Sequence, residues 1–218
     1  MDQVSKLAKF RAYWKKMQGF DSIRTQSVKS LLKDNAGLWR GSFRSICIAL
    51  LVVMASASLL GEQPRAGESE VKAAFLYNFG KFVKWPSSSV QSTFAICILG
   101  RDPFGAQLDS IVAGESVDAK PISVRRVTNV QEAATCRILF ISSSEQSRLH
   151  ALLPALSKAP VLTVSDIPQF IEHGGMIQFV LEQGRVRFEV NLGSAENSGL
   201  SMSSELLKVA TQVKRGRD

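Results

Sequence analysis

Histidine and cysteine are both scarce in this chain of 218 residues, with two of the first and three of the second. No CxxC pair occurs, and His150 and His173 stand apart in sequence. The ligand spacing of a zinc site is therefore missing, and no metal is expected. A phosphate loop is missing too. Gly100 and Gly105 have its spacing, but Ala106-Gln107 follows where a lysine and a hydroxyl residue are required. His173-Gly174-Gly175 leads into a strand instead of a helix, so it makes no phosphate cradle. Gly193-Ser194-Ala195 lacks the GxSxG elbow of a hydrolase, and no Ser–His–acid order stands out. The lone carboxylates Asp102, Asp109, Asp166 and Glu172 read as turn and cap residues. Asp166 in particular reads as a helix N-cap ahead of Pro168. The chain is thus expected to be no enzyme and to use no cofactor.

Positive charge is plentiful, at +8 overall, but it lies in the wrong place for nucleic acid. Residues 1–44 hold ten basic side chains against three acidic ones, a net +7; from Ser58 onward the count is 17 against 16, a net +1. A near-neutral domain has no electrostatic footprint for a phosphate backbone, so no nucleic-acid partner is expected. Residues 46–60 form the long uncharged apolar run. At about 15 residues it falls short of the roughly 20 that a spanning helix needs. Arg40 and Arg44 precede it, and Ala55-Ser56-Ala57 supplies small residues for cleavage. These flanks predict a cleaved secretory signal, with an uncleaved anchor or a buried core helix as alternatives. The long basic leader is read as translation annotated from a start upstream of the true one. The expected organisation is a basic leader and signal over 1–57, a flexible lead-in over 58–69 and one exported domain over 70–214.

The domain alternates helix and strand. Val71, Ala74, Phe75, Phe79, Phe82 and Val83 recur at helical spacing, and Trp85-Pro86 ends that stripe. Apolar runs at 94–99, 121–127, 137–141 and 160–164 predict strands, with helices at 104–112 and 145–153 between them. Residues 175–182 and 185–192 flank Gln183-Gly184 and predict an antiparallel hairpin. Its register sets Leu181 against Val186, Phe179 against Phe188 and Ile177 against Val190 on an apolar face. A closing helix carries Leu206, Leu207, Ala210 and Val213, with Ser201 or Ser203 as N-cap. The fold class is α/β: a single domain with a mixed, mostly parallel sheet, a C-terminal antiparallel hairpin and helices on both faces.

Cys97 and Cys136 each sit at a predicted strand, so they either bridge neighbouring strands or remain buried free thiols. The opening helix has more aromatic surface than one stripe buries. Tyr77, Phe79, Lys81 and Trp85 are its candidate partner contacts, against the alternative that they pack on the sheet. Arg187, Glu189 and Asn191 on the polar hairpin face, with Ser201 and Ser203 at a helix start, are the candidate ligand contacts; the alternative is a solvated face and an ordinary cap.

Residues 71–86 resemble the opening helix of the YfiR-like periplasmic family, and so do 97–105, 136–141, 160–166, 174–177, 185–191 and 199–207, in the same order. The resemblance implies a non-enzymatic periplasmic regulator. It would bind and repress the periplasmic part of an inner-membrane diguanylate cyclase, lowering cyclic di-GMP and biofilm growth. It further implies sequestration by an outer-membrane lipoprotein, a homodimer and a disulfide at Cys97 and Cys136. The second cysteine pair of some relatives is missing here. Small-molecule binding near the terminal helix of relatives meets only Ser201 and Ser203 in this chain. A different class of function stays open: a solute-binding accessory protein for a transporter or a sensor kinase.

Overall fold

The computed structural model describes residues 66–86 and 92–216; the basic leader and the apolar run at 46–60 lie outside them. Eight strands form one sheet. In chain order the elements are α1 (Ala66–Phe82), β1 (Val83–Lys84), β2 (Phe94–Leu99), α2 (Ala106–Val112), β3 (Ser116–Val117), β4 (Lys120–Val127) and α3 (Val130–Ala133). Then come β5 (Ile138–Ile141), a 3₁₀ turn (Ser143–Arg148), α4 (Leu149–Leu156), β6 (Leu162–Ser165), β7 (Ile177–Glu182) and β8 (Arg185–Asn191). The chain closes with α5 (Leu192–Asn197), β9 (Ser201–Met202), α6 (Ser204–Val209) and β10 (Gln212–Lys214). The sheet order is β10-β8-β7-β6-β5-β2-β4-β3, parallel except at the β7–β8 and β3–β4 pairs. The expected α/β class holds.

Central strands are apolar on both faces because both are covered: all six residues of β2 and all four of β5 are buried. On one face α1 lays Phe75 and Phe79 against Phe179 and Phe188. Gly80 lets this helix close in, since a Cβ there would lie 3.1 Å from Val117 and 3.2 Å from the Phe94 ring. On the other face Leu99, Leu139 and Ile141 pack with Leu149, Leu152 and Leu156 of α4. The hairpin has the expected register at every pair, from Ile177 with Val190 to Glu182 with Arg185. Its two turn residues, Gln183 and Gly184, have φ of 53° and 76°, the pairing that a tight two-residue turn requires.

Three expectations are corrected. No helix follows Asp166. Ser165 Oγ accepts from Ile167 N at 3.1 Å, Gln169 has φ of 60°, and residues 167–174 form turns. Asp166 instead accepts from Lys72 Nζ at 2.8 Å, and Glu68 flanks the same ammonium at 2.7 Å. Burial opposes that charge on Lys72, which is 8% exposed, but the bonds to Asp166 and Glu68 outweigh it and leave its pKa raised. The helix predicted over 145–153 starts later. Its first turn is 3₁₀, where Ser142 Oγ accepts from Ser144 N and Ser144 Oγ from Arg101 N, and α4 runs on to Leu156. The closing helix stops at Val209, and Val213 joins β10 beside Val190. Thr211 fixes that exit, its N and Oγ1 donating to Phe188 O at 3.0 and 3.1 Å.

Candidate functional site

Cys97 and Cys136 form a disulfide with their Cα atoms 6.0 Å apart. Cys97 lies inside β2, and Cys136 stands just ahead of β5, where Arg137 N donates to Ala95 O at 2.9 Å. The bridge thus ties two neighbouring strands inside the α4-side core. The alternative of two free thiols is corrected.

The candidate partner contacts separate. Phe79 is 1% exposed within the Phe75–Phe179–Phe188 cluster, so it is core and offers nothing to a partner. Tyr77 and Lys81 lie on the outer side of α1, with Lys81 Nζ 3.9 Å above the Tyr77 ring and the Tyr77 hydroxyl donating to Glu115. Trp85 is half-buried with its ring edge-on to Phe94 at 5.1 Å. Just before it, β1 pairs with β9: Val83 with Met202 and Lys84 with Ser201. Ser203 N donates to Phe82 O at 2.9 Å, and Ser203 Oγ caps α6 by accepting from Leu206 N. The fold therefore brings Lys81, Lys84, Trp85 and Ser201 to one end of α1. The sequence reading sets Ser201 at the start of the closing helix; it lies instead in β9, ahead of the Ser203 cap. The short β1–β9 pairing that moves it gives no pattern of its own in two residues.

Arg187, Glu189 and Asn191 do not share that end. They alternate with Phe188 and Val190, whose side chains face α1, and so point to the opposite face. Asn191 is 7% exposed and structural: its Nδ2 donates to Ile171 O at 2.9 Å, and its Oδ1 accepts from Ser194 N as the cap of α5. Arg187 and Glu189 are half-buried. Burial, then the carboxylates of Glu182 and Glu172, raise the Glu189 pKa above its ordinary value. A carboxyl harder to ionise when folded makes the protein less stable as pH rises from its unfolded pKa near 4.5 toward its folded one. Glu189→Gln is accordingly expected to raise the melting temperature at pH 7, with the gain shrinking to nothing below about pH 4.5. Melting curves of both forms across pH 4–8 check this, and a gain that does not depend on pH would refute the charge origin.

A parallel sheet of this order offers a ligand crevice where strand order reverses, at the carboxyl ends of β2 and β5. Here that crevice is filled. Gly100, with φ of 89°, sits under the 3₁₀ turn so closely that a Cβ would lie 2.4 Å from Ser144 Oγ. Arg101 N donates to the same oxygen at 2.9 Å. Beside it Arg126 donates to Asp102 at 2.9 Å, to Asp109 at 2.6 and 2.9 Å and to Gly105 O at 2.9 Å. Asp109 and then Asp102 hold its guanidinium more firmly charged, and Arg126 in turn lowers the Asp109 pKa. Asp102 Oδ1 also accepts from Phe104 N and Gly105 N, the turn role expected of it. Each of these groups is satisfied by a neighbour. Among the described residues no group of three metal-binding side chains occurs.

A model of the YfiR/HmsC-like family matches residues 69–211. The chain belongs to the YfiR/HmsC-like family. That family is regulatory and periplasmic. No helix among the described residues is long and apolar enough to cross a membrane. Two solved structures are similar at 12% identity. One is a conserved domain protein from Vibrio cholerae O1 biovar El Tor, with a TM-score of 0.47 over 67% of this chain and 60% of that one. The other is the ABC domain from Streptococcus pneumoniae in complex with L-Trp, with a TM-score of 0.44 over 67% of this chain and 62% of that one. The chain thus spans about three-fifths of each, and at these scores neither bears on what it does.

Proposed function

We propose that this chain represses an inner-membrane diguanylate cyclase by binding the cyclase's periplasmic part. Membership of the YfiR/HmsC-like family over residues 69–211 carries the reading. The docking surface is the end of α1, with Tyr77, Lys81 and Trp85 as contacts beside Lys84 and Ser201. Tyr and Trp are the residues that interface centres favour, and the exposed Lys81 and Lys84 suit the polar rim around them. The chain reaches the periplasm by a signal over residues 1–57, removed at Ala55-Ser56-Ala57, and acts as a homodimer, and an outer-membrane lipoprotein relieves repression by sequestering it.

Deleting the gene is expected to raise cellular cyclic di-GMP, and the wild-type gene to restore it. A chain with Lys81→Glu and Lys84→Glu, two exposed positions at this end of α1, should fold and yet fail to restore it. Lys81 contributes only about 0.5–1 kcal/mol through its exposed cation–π contact, so its loss leaves the fold intact. Cyclic di-GMP unchanged by deletion would refute the cyclase assignment; full restoration by the double variant would refute the surface.

A solute-binding role has one observation in its favour, a cleft of about 210 Å³ lined by Leu156, Thr163, His173, Met176 and Ser198. Ligand pockets usually measure about 300–1,000 Å³, so this cleft is small for a solute carrier and the regulator is preferred.

A further inference from the structure

The chain's two histidines, remote in sequence, meet in the fold. His150 lies in the first turn of α4 and His173 in the turns between β6 and β7, with ring centroids 5.0 Å apart and planes at 80°. The expectation that both stand isolated is corrected. Both are exposed, and neither imidazole has a hydrogen-bond or ion-pair partner among the described residues. Their ring nitrogens are therefore open to an outside ligand, and the mutual contact does not come from a network that needs them.

The separation itself is informative. An imidazole nitrogen binds zinc at about 2.0–2.1 Å, which puts the ring centre about 3.2 Å from the metal. Two imidazoles on one ion then have centroids about 4.5 Å apart at a right angle and about 5.2 Å apart at the tetrahedral angle. The observed 5.0 Å lies between those limits. We propose that His150 and His173 form a two-imidazole site for a divalent transition metal of the Cu(II), Ni(II) and Zn(II) class. Imidazole suits these ions, whereas the hard cations Mg(II) and Ca(II) prefer oxygen. No third histidine, cysteine or carboxylate among the described residues completes the set. The ion keeps open positions, as catalytic and exchangeable sites do and closed structural sites do not. His173 also borders the cleft floored by Thr163 and Met176, so a small donor lodged there lies beside the metal. A bound ion would link α4 to the β6–β7 connection, two elements that cover one face of the sheet.

The test uses the full chain, purified with a tag free of histidine, stripped with chelator and titrated with zinc chloride and copper(II) chloride by calorimetry. One saturable site per chain is expected, with copper bound more tightly than zinc, as the Irving–Williams order requires. The metal should also raise the melting temperature, because it binds only the folded pair. His150→Ala and His173→Ala should each weaken binding at least tenfold. Both positions are exposed, so the metal-free variants should melt with the wild type. Copper-loaded wild type should show nitrogen coupling in its electron paramagnetic resonance spectrum, and both variants should lose part of it. Saturable binding that survives in both variants would overturn the site, as would no saturation by about 100 µM metal, a concentration that fills any site tighter than about 10 µM.

Discussion

Phe79→Ala is expected to lower the stability of this domain by about 3–5 kcal/mol, the usual cost of deleting a fully buried phenylalanine. The ring is 1% exposed and lies among three others, with centroids 5.8 Å from Phe75, 5.9 Å from Phe179 and 5.2 Å from Phe188. Those rings come from α1 and from both strands of the hairpin. The cavity would open at the contact that holds the helix to the C-terminal part of the sheet, which β-sheet hydrogen bonds cannot close by collapse. Aromatic pairs add about 0.5–1.5 kcal/mol each beyond their buried area. A whole domain holds only about 5–15 kcal/mol, so the loss takes a large share. Urea unfolding at 25 °C should show a lower midpoint with an unchanged slope. A loss below about 1 kcal/mol would mean that the cluster is looser than its centroid distances indicate. The result also governs how cellular tests are read: a Phe79 variant that fails to repress reports unfolding, whereas a variant at the exposed Lys81 or Lys84 reports the proposed docking.

What the sequence revealed and what it concealed divide along one physical line. The hairpin register was legible because alternation and a two-residue turn are both local signals, and together they fix every pair from Ile177–Val190 to Glu182–Arg185. The stripe of α1 was legible for the same reason. Phe79 was nevertheless ambiguous, since α1 presents aromatics on more than one side and only the position of Phe179 and Phe188 decides which of them is covered. Most of the corrected expectations depend on partners distant in sequence; the 3₁₀ start ahead of α4, set in part by Ser142, is the local exception. Asp166 resembles a cap until Lys72 takes its carboxylate. Val213 fits a helical stripe until Thr211 is held on Phe188 O and β8 offers an open edge. His150 and His173 look unrelated until α4 and the β6–β7 turns are placed side by side. The clamp of Arg126 on Asp102 and Asp109 has no sequence motif, because its residues come from a strand, a loop and a helix that only the sheet order makes neighbours.

Removing the disulfide as the pair Cys97→Ala and Cys136→Ala is expected to cost about 3–4 kcal/mol. The bridge closes a loop with a sequence separation of 39 residues. The chain-entropy model assigns a constraint of that size to the unfolded state at 25 °C. Alanine is the proper replacement, since serine would leave a hydroxyl buried in the apolar cluster beside Leu139 and Leu152 and add its own cost. Both cysteines are buried, so a reductant reaches the bridge only when β2 and β5 separate or the chain opens. Reduction should accordingly be slow in buffer and fast in urea near the unfolding midpoint. Dithiothreitol should move the urea midpoint of the wild type down to that of the alanine pair, and should leave the pair itself unmoved. The family is periplasmic, and in that oxidising compartment the bridged form is the expected one. With a loss of this size the unbridged chain would spend far more of its time unfolded, and its cellular level, not only its affinity, should fall. A wild-type midpoint unmoved by complete reduction, with free thiols counted to prove it, would show that the native packing around Cys97 and Cys136 suffices without the bridge.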